Sequence, residues 1–386
     1  MNTGNRVFVT GVGTVNSAAD SITQFVGLED IKKPSLMNTD QESFYPFLVK
    51  AFPEYNLLCY LKKKSELRSL GEGQRLACFA AGKALDSAGL IENQPLLKKT
   101  AIMIASGSGE RSDEIDESII EKCSEIGGNN NEILNYNTIL SKLRPSLFLT
   151  QLPNLYAANI SIVHGVTGSS LTFMGEESAA VDALEVSIQK IKNGQEDLIL
   201  VGGAFNANQK FLHTYYGAAN KLASVHDVDI NNKMILGSSG AFLVLESERH
   251  AKSRSANLLA EINVEERTDY STKITHQLLS DQFPNSCSDI KDTYIIGDLD
   301  FQNLNTDHSM NKYSLCSQTL RGSCFEAAPF TDIIFGTWSL ASKQCLSTTE
   351  SGIEKHRIDD LDKVLIYSRT DDQCASLISL RKAYND

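Results

Sequence analysis

Long apolar runs are missing from this 386-residue chain. Its best stretches, such as DLILVGGAF and TAIMIAS, are strand-sized and well short of the roughly 20 residues a membrane helix needs. Positive charge is in deficit: 36 Lys and Arg stand against 48 Asp and Glu, a net charge of −12. That balance argues against a nucleic-acid partner, which needs a basic face. The start, MNTGNRVFVTGVG, has no signal-peptide pattern and runs straight into a strand, so the cytoplasm is the expected location. The eight cysteines form no C-x-x-C pair, and the seven histidines show no H-E-x-x-H or H-x-x-H spacing. A structural metal site is therefore not expected, and the cysteines read mostly as buried reduced thiols.

Nucleotide and elbow-serine signatures are absent as well. VTGVGTVN supplies Gly11 and Gly13 of a dinucleotide fingerprint but puts Asn16 at the third glycine position. No acidic residue ends an obvious second strand about 20 residues on, where the ribose contact would stand. There is no Walker A loop and no G-x-S-x-G.

What is present is a series of strand and helix patterns. In TFMGEES (172–178) a β-branched and aromatic run meets a glycine and two adjacent carboxylates, Glu176 and Glu177. An amphipathic helix follows, with Val181, Leu184, Ile188 and Ile191 at 3-to-4 spacing and Asn193-Gly194 as its stop. LTFM reads as a short buried strand, and DLILVGGAFN as a strand covered on both faces. The result is a strand–helix–strand unit. RVFVTGVGTVNS and KTAIMIASGSG read as further strands, and GEGQRLACFAAGKALDSAGL as a helix stopping near Gly89. DTYIIGDLD, TDIIFGTWSLASKQCLST and DKVLIYSRTD give strand, helix and strand again. The same unit in each half suggests a duplicated α/β body, divided as 1–250 and 251–386. The stretch 265–315 is the least patterned and is expected to hold surface loops.

LPNLYAANISIVHGVTGSSLTFMGEESAAVDALEVSIQKIKNGQEDLILVGGAFN resembles the core of a β-ketoacyl synthase of the thiolase-like superfamily. RVFVTGVGTVNS at the start and ILGSSGAFLVLE (235–246) extend the likeness, which covers most of the chain. The resemblance implies a thiolase-like duplicated α/β fold, layered αβαβα. In that family the strand ends in a nucleophilic cysteine at a helix N-terminus, where the helix dipole favours thiolate. Ungapped alignment from Gly168 to Leu184 places Glu177 at the cysteine. By the same resemblance Asp298 stands where one catalytic histidine is expected, and Ser323, with Gln318 for a lysine, where the other is. With Glu177, Asp298 and Ser323 there, the expectation is a retired active site with no catalytic residues.

The subfamily with this character is the chain length factor, the non-catalytic partner of an active ketosynthase in type II polyketide synthases. Its members mostly carry glutamine where this chain has Glu177; the shared Asp182-Ala183-Leu184 strengthens the match. The resemblance implies a heterodimer with a ketosynthase, a tunnel shared across the interface and an aromatic polyketide product, with a polyene as the nearest competitor. An acyl carrier protein would bring malonyl and polyketide thioesters on its phosphopantetheine, so no cofactor, nucleic acid or membrane is implied for this chain. The tunnel plug falls by position on Ser108, Arg111, Glu114, Ile115 and Ser118, with Ile119 one step over. The enzyme-class alternative is a stand-alone acyltransferase or hydrolase using Glu177, Asp298 or Cys324.

Each site also has a bland reading. Glu176 and Glu177 would serve as first-turn acids of a helix. Asp298 and Asp300 would be turn residues, and Ser323 and Cys324 members of a packed glycine turn. His164 would be structural, and RSDEIDESIIEKC a solvated helix face.

Overall fold

The structure is a computed structural model that describes residues 6–383 except 29–30, 62, 108, 126–144, 231–232, 270–293, 299–312, 350 and 371–373. Its first strand, β1 (Val7–Asn16), is buried along almost its whole length. The reason is the helix α1 (Glu72–Ser87) lying across it. A Cβ on Gly11 would sit 2.4 Å from the Ala84 carbonyl oxygen, and one on Gly13 2.2 Å from that of Ala80. The G-x-G of the sequence is thus a helix-packing device and not a phosphate cradle.

Nine further strands join β1: β2 (Ala101–Ala105), β3 (Ser170–Phe173), β4 (Leu198–Phe205), β5 (Ser239–Ser247), β6 (Ala260–Asp269), β7 (Tyr294–Gly297), β8 (Ser314–Cys316), β9 (Lys363–Thr370) and β10 (Cys374–Lys382). They run in the order β8-β7-β9-β10-β6-β1-β5-β4-β2-β3. Within β1-β5-β4-β2-β3 the first two pairings are antiparallel and the last two parallel. Within β6-β10-β9-β7-β8 the same sequence of pairings recurs. The two five-stranded sets meet through β1 and β6, at Phe8 with Glu261 and Val9 with Ala260.

Each set sends its last parallel strand into a central helix. β3 leads to α4 (Glu176–Lys192), and β8, after a one-turn helix at Gln318–Arg321 and a turn at Phe325–Ala327, leads to α6 (Ala328–Ser342). The other helices used below are α2 (Asp113–Glu125), α3 (Leu155–His164) and α5 (Lys210–Ala218). α4 and α6 touch and share one apolar core, in which Ala179, Ala180 and Ala183 keep the α4 face low enough for close approach. α4 stops at Asn193, with Gly194 at φ +69°, and Gly89 beyond α1 at φ +67°, as the stop signals require.

Three sequence expectations need correction. LTFM is not a buried strand: β3 closes the sheet on one side, with Ser170 and Leu171 exposed. QCLST does not continue the preceding helix but forms Gln344–Thr349, which pairs with Gly352–Arg357 as a separate hairpin. Lys343 at φ +57° ends the helix just before it. The stretch 265–315 is not simply surface loops, because it contains the end of β6, buried β7 and the start of β8. Asp300 lies outside the described residues.

Candidate functional site

The β3–α4 corner is tight. Gly175 sits at φ +135° and Glu176, a residue with a side chain, at φ +46°. Such a conformation costs on the order of 1–2 kcal/mol and persists only where the surroundings hold it. The surroundings here are the Thr370 hydroxyl, which accepts the Ser178 N–H at 2.9 Å, and the Glu326 carboxylate, which accepts the Glu176 N–H. The corner sends two neighbouring carboxylates into different settings. Glu176 is half-buried and accepts the Tyr216 hydroxyl at 3.0 Å. Glu177 is buried, and burial, helped by the charge of Asp298, pushes its acid up to about 8. A carboxyl raised this far favours its protonated form at neutral pH, unlike an ordinary first-turn acid.

Beneath it lies the counterpart corner of the other half. Arg321 is fully buried and forked onto Asp332, with Nε to Oδ1 at 3.1 Å and Nη2 to Oδ2 at 3.0 Å. The same Nη2 binds Asp298 Oδ1 at 2.5 Å, and Nη1 donates to the Gly322 carbonyl at 2.8 Å. A guanidinium held this way is the arrangement in which buried charge is tolerable, because every charge has an opposite partner in good geometry. Ser317 Oγ also reaches Asp298, at 3.5 Å.

Ser323 is buried next to this network, and Gln318 Nε2 donates to its hydroxyl. Glu177, Asp298 and Ser323, far apart in sequence, therefore gather in one region, with Gln318 beside Ser323. Cys324 is fully buried and takes the Arg321 Nη1 at 3.4 Å; burial lifts its thiol to about 12. A buried thiol raised this far is poorly disposed to form thiolate at neutral pH. Among the described histidines, His164 gives Nε2 to the Cys78 carbonyl at 2.8 Å and is structural. His213 on α5 does likewise with the Ala207 carbonyl at 3.0 Å.

Above the α4 corner is a cavity of about 240 Å³, bounded by Gly107 and Gly109, the end of β4, α5 and the turn before α6. Glu176, Tyr216, Phe205, Phe325 and Glu326 face it. Phe325 stacks on Tyr216 with ring centres 5.4 Å apart. The expected plug residues stand next door. Arg111 and Glu114 are exposed and Ile115 and Ser118 half-buried. Arg111 pairs with Asp116 at 2.7 Å, and its N–H binds Gln209, a cavity residue, at 3.2 Å. The loop leading to α2 is anchored by Glu110, a buried carboxylate that accepts the Gly73 N–H at 2.5 Å and Asn206 Nδ2 at 2.8 Å. Ser108 lies outside the described residues.

Arg321, Asp332 and Glu326 escaped the sequence reading. Their signal was present: APFTDIIFGTWSLAS is uncharged except for one acid, and LRGSCFEAAP carries two charges inside a run of small and apolar residues. A lone charge in a buried frame demands a partner.

Comparison with known proteins agrees with this architecture. Residues 49–251 match the family described as Beta-ketoacyl synthase, N-terminal domain. The 3-oxoacyl-[acyl-carrier-protein] synthase 2 of Vibrio cholerae is 24% identical over 274 residues, covering 67% of this chain and 61% of that protein. The putative mitochondrial 3-oxoacyl-[acyl-carrier-protein] synthase of Schizosaccharomyces pombe is 26% identical over 289 residues, covering 67% and 62%. The chain thus spans about three fifths of the length of the curated relatives it matches. Among solved structures, the ishigamide ketosynthase/chain length factor aligns over 99% of this chain and 100% of that one, with TM-score 0.71 and 17% identity. A type II polyketide synthase acyl-carrier protein in complex with its ketosynthase bound to the hexaketide aligns over 98% and 100%, with TM-score 0.68 and 15% identity.

The repeated sheet and paired central helices are those of the thiolase-like ketosynthase fold. The chain belongs to the β-ketoacyl synthase family. Among the described residues, no helix is long and apolar enough to cross a membrane.

Proposed function

We propose that this chain is a non-catalytic ketosynthase-like subunit that pairs with an active ketosynthase and sets chain length in a type II polyketide synthase making an aromatic polyketide. The observation that carries this reading is the filled corner. A protonated Glu177 and the Arg321 ion network take up the space where the family does its chemistry, with Asp298 and Ser323 at the two positions expected to be histidine. Acylation needs an accessible, activated nucleophile, and Cys324 is fully buried, with the nearby carboxylates Asp298 and Asp332 held by Arg321. The partner ketosynthase supplies that chemistry, and an acyl carrier protein brings malonyl groups on its phosphopantetheine.

Pairing is supported by the surface. β3 is bonded to β2 on one side only among the described residues, leaving a row of edge N–H and C=O groups. Around it stand exposed apolar side chains: Leu171 and Met174 at the strand, Ile162 on the neighbouring α3, and Leu149 and Leu152 just before that helix. Exposed apolar side chains beside an open edge favour association. The loop before α2 and its helix, with Arg111, Glu114, Ile115 and Ser118, would close the end of the shared tunnel, Ser118 favouring a longer channel than a bulky residue would.

The test is co-purification of the untagged chain with a tagged cognate ketosynthase, then mass spectrometry of both subunits after turnover with malonyl-loaded carrier protein. Stoichiometric recovery with acyl adducts confined to the ketosynthase is expected. No association, or an adduct on this chain, overturns the reading in favour of a stand-alone acyltransferase or hydrolase. The product released separates an aromatic from a polyene synthase.

A further inference from the structure

The cavity above α4 is an unusual lining for a passage of plain acyl chains. Glu326 is 4% exposed and faces the cavity, yet its Oε2 has no hydrogen-bond partner. The rest of its carboxylate is engaged only with backbone N–H groups. Glu176 stands on the same cavity with one oxygen taken by Tyr216. Among the described residues the lining contains no lysine, arginine or histidine to balance them. An acceptor free on the wall of a cavity is stabilised by a ligand that brings it a donor.

The walls narrow the choice of donor. Tyr216 and Phe205 each pack on Phe325 and present aromatic surface to the space, with Phe205 edge-on to Phe325 at 5.0 Å. Aromatic faces beside carboxylates favour an organic cation over a neutral hydroxyl. A metal ion is a poor fit, since among the described residues no group of three or more His, Cys, Asp or Glu could hold one. We propose that this cavity binds a protonated primary amine, its N–H groups donating to Glu326 and Glu176 and its carbon chain lying against Tyr216 and Phe325.

Resting on the chain-length reading, the amine is the far end of a growing chain, so the synthase is primed by an amine-bearing starter. The binding site itself does not depend on that reading. The cavity volume, several times the ~30 Å³ share of one water, admits a four-carbon ammonium.

The experiment is a calorimetric titration of the full chain at pH 8 with n-butylammonium chloride, n-butanol and sodium butyrate at matched ionic strength. Saturable binding of the ammonium, about tenfold or more tighter than the alcohol and absent for butyrate, is expected. Glu326→Gln should weaken ammonium binding about tenfold while leaving that of butanol unchanged. Glu176→Gln carries the same test, with a smaller loss, should circular dichroism show the first variant unfolded. Equal binding of ammonium and alcohol, or no saturable binding by the native chain, overturns the proposal. So does an unchanged ammonium affinity in both folded variants. Failure to co-purify with a ketosynthase would end the chain-length reading and leave this titration standing. A positive titration with methyl- and amine-ended starters elongated alike by the complex would restrict the site to binding.

Discussion

β8 and β3 hold the same place in the two halves of the sheet, and their surroundings are opposite. β8 is buried, covered by the Gln344–Thr349 hairpin strand, whose Thr348 hydroxyl accepts the Cys316 N–H at 3.0 Å. β3 has no such cover among the described residues and shows Leu171 to solvent. The corners that follow differ in the same sense. After β8, buried Arg321 is matched by two carboxylates; after β3, the acids Glu176 and Glu177 have no ion pair among the described residues. One half is finished within itself, while the other leaves an edge and a charge set open for something else to complete. A duplicated fold gives each half the same skeleton, and the added hairpin together with the corner side chains sets the halves apart.

The largest effect should come from the closed half. Arg321→Met leaves buried Asp332 and half-buried Asp298 without their cation, and a loss of about 3–5 kcal/mol in urea unfolding is expected. Adding Asp332→Asn should recover part of it. An Arg321→Met chain as stable as the native one would show that the guanidinium is not what holds this corner.

The open half should respond to pH. Glu177 is raised from 4.5 to about 8, so folding retains a proton that the unfolded chain releases in that window. The stabilisation is complete below pH 4.5 and is lost as pH rises through about 8. Glu177→Gln removes the titration. Its gain over the native chain should be negligible at pH 5 and reach about 2 kcal/mol by pH 9, less than the full shift converts to because its titration is coupled to that of Glu326. A gain that is constant with pH would mean that Glu177 is ionised throughout.

These two corners also show what the sequence can convey. The strand–helix–strand units, the glycine stops and the position of the corner follow from periodicity and backbone rules, which are local. The exposure of LTFM is not local: its apolar side chains read as core because composition does not reveal whether a further strand or hairpin covers them. The Arg321–Asp332 pair spans eleven residues of chain and two elements, and only its isolation among apolar neighbours hints at it. Glu326 is harder still, since its meaning depends on a cavity assembled from Gly107, β4, α5 and the α4 corner.

Association should be the next most sensitive property. Leu171→Lys puts a charge on the open edge without touching the core, so unfolding should change by about 0.5 kcal/mol or less while recovery with a ketosynthase falls sharply. An undiminished yield of complex would move the interface away from β3.

The smallest effect on stability, with a change in product, is expected on α2. Ser118 and Ile115 are half-buried on a helix whose first turn is acidic and whose Glu117 pairs with Lys210 of α5. Replacing Ser118 with Phe adds volume at a site with room at its surface, so unfolding should shift by about 0.5 kcal/mol or less. If this helix closes the shared tunnel, the same ring shortens the space available to the chain, and the complex should release a polyketide shorter by one or more two-carbon units. Ile115→Trp should act in the same direction. Products of native length from both variants, in complexes that turn over normally, would remove α2 from the tunnel and assign chain length to the cavity above α4, where Phe205 and Phe325 would be the residues to change.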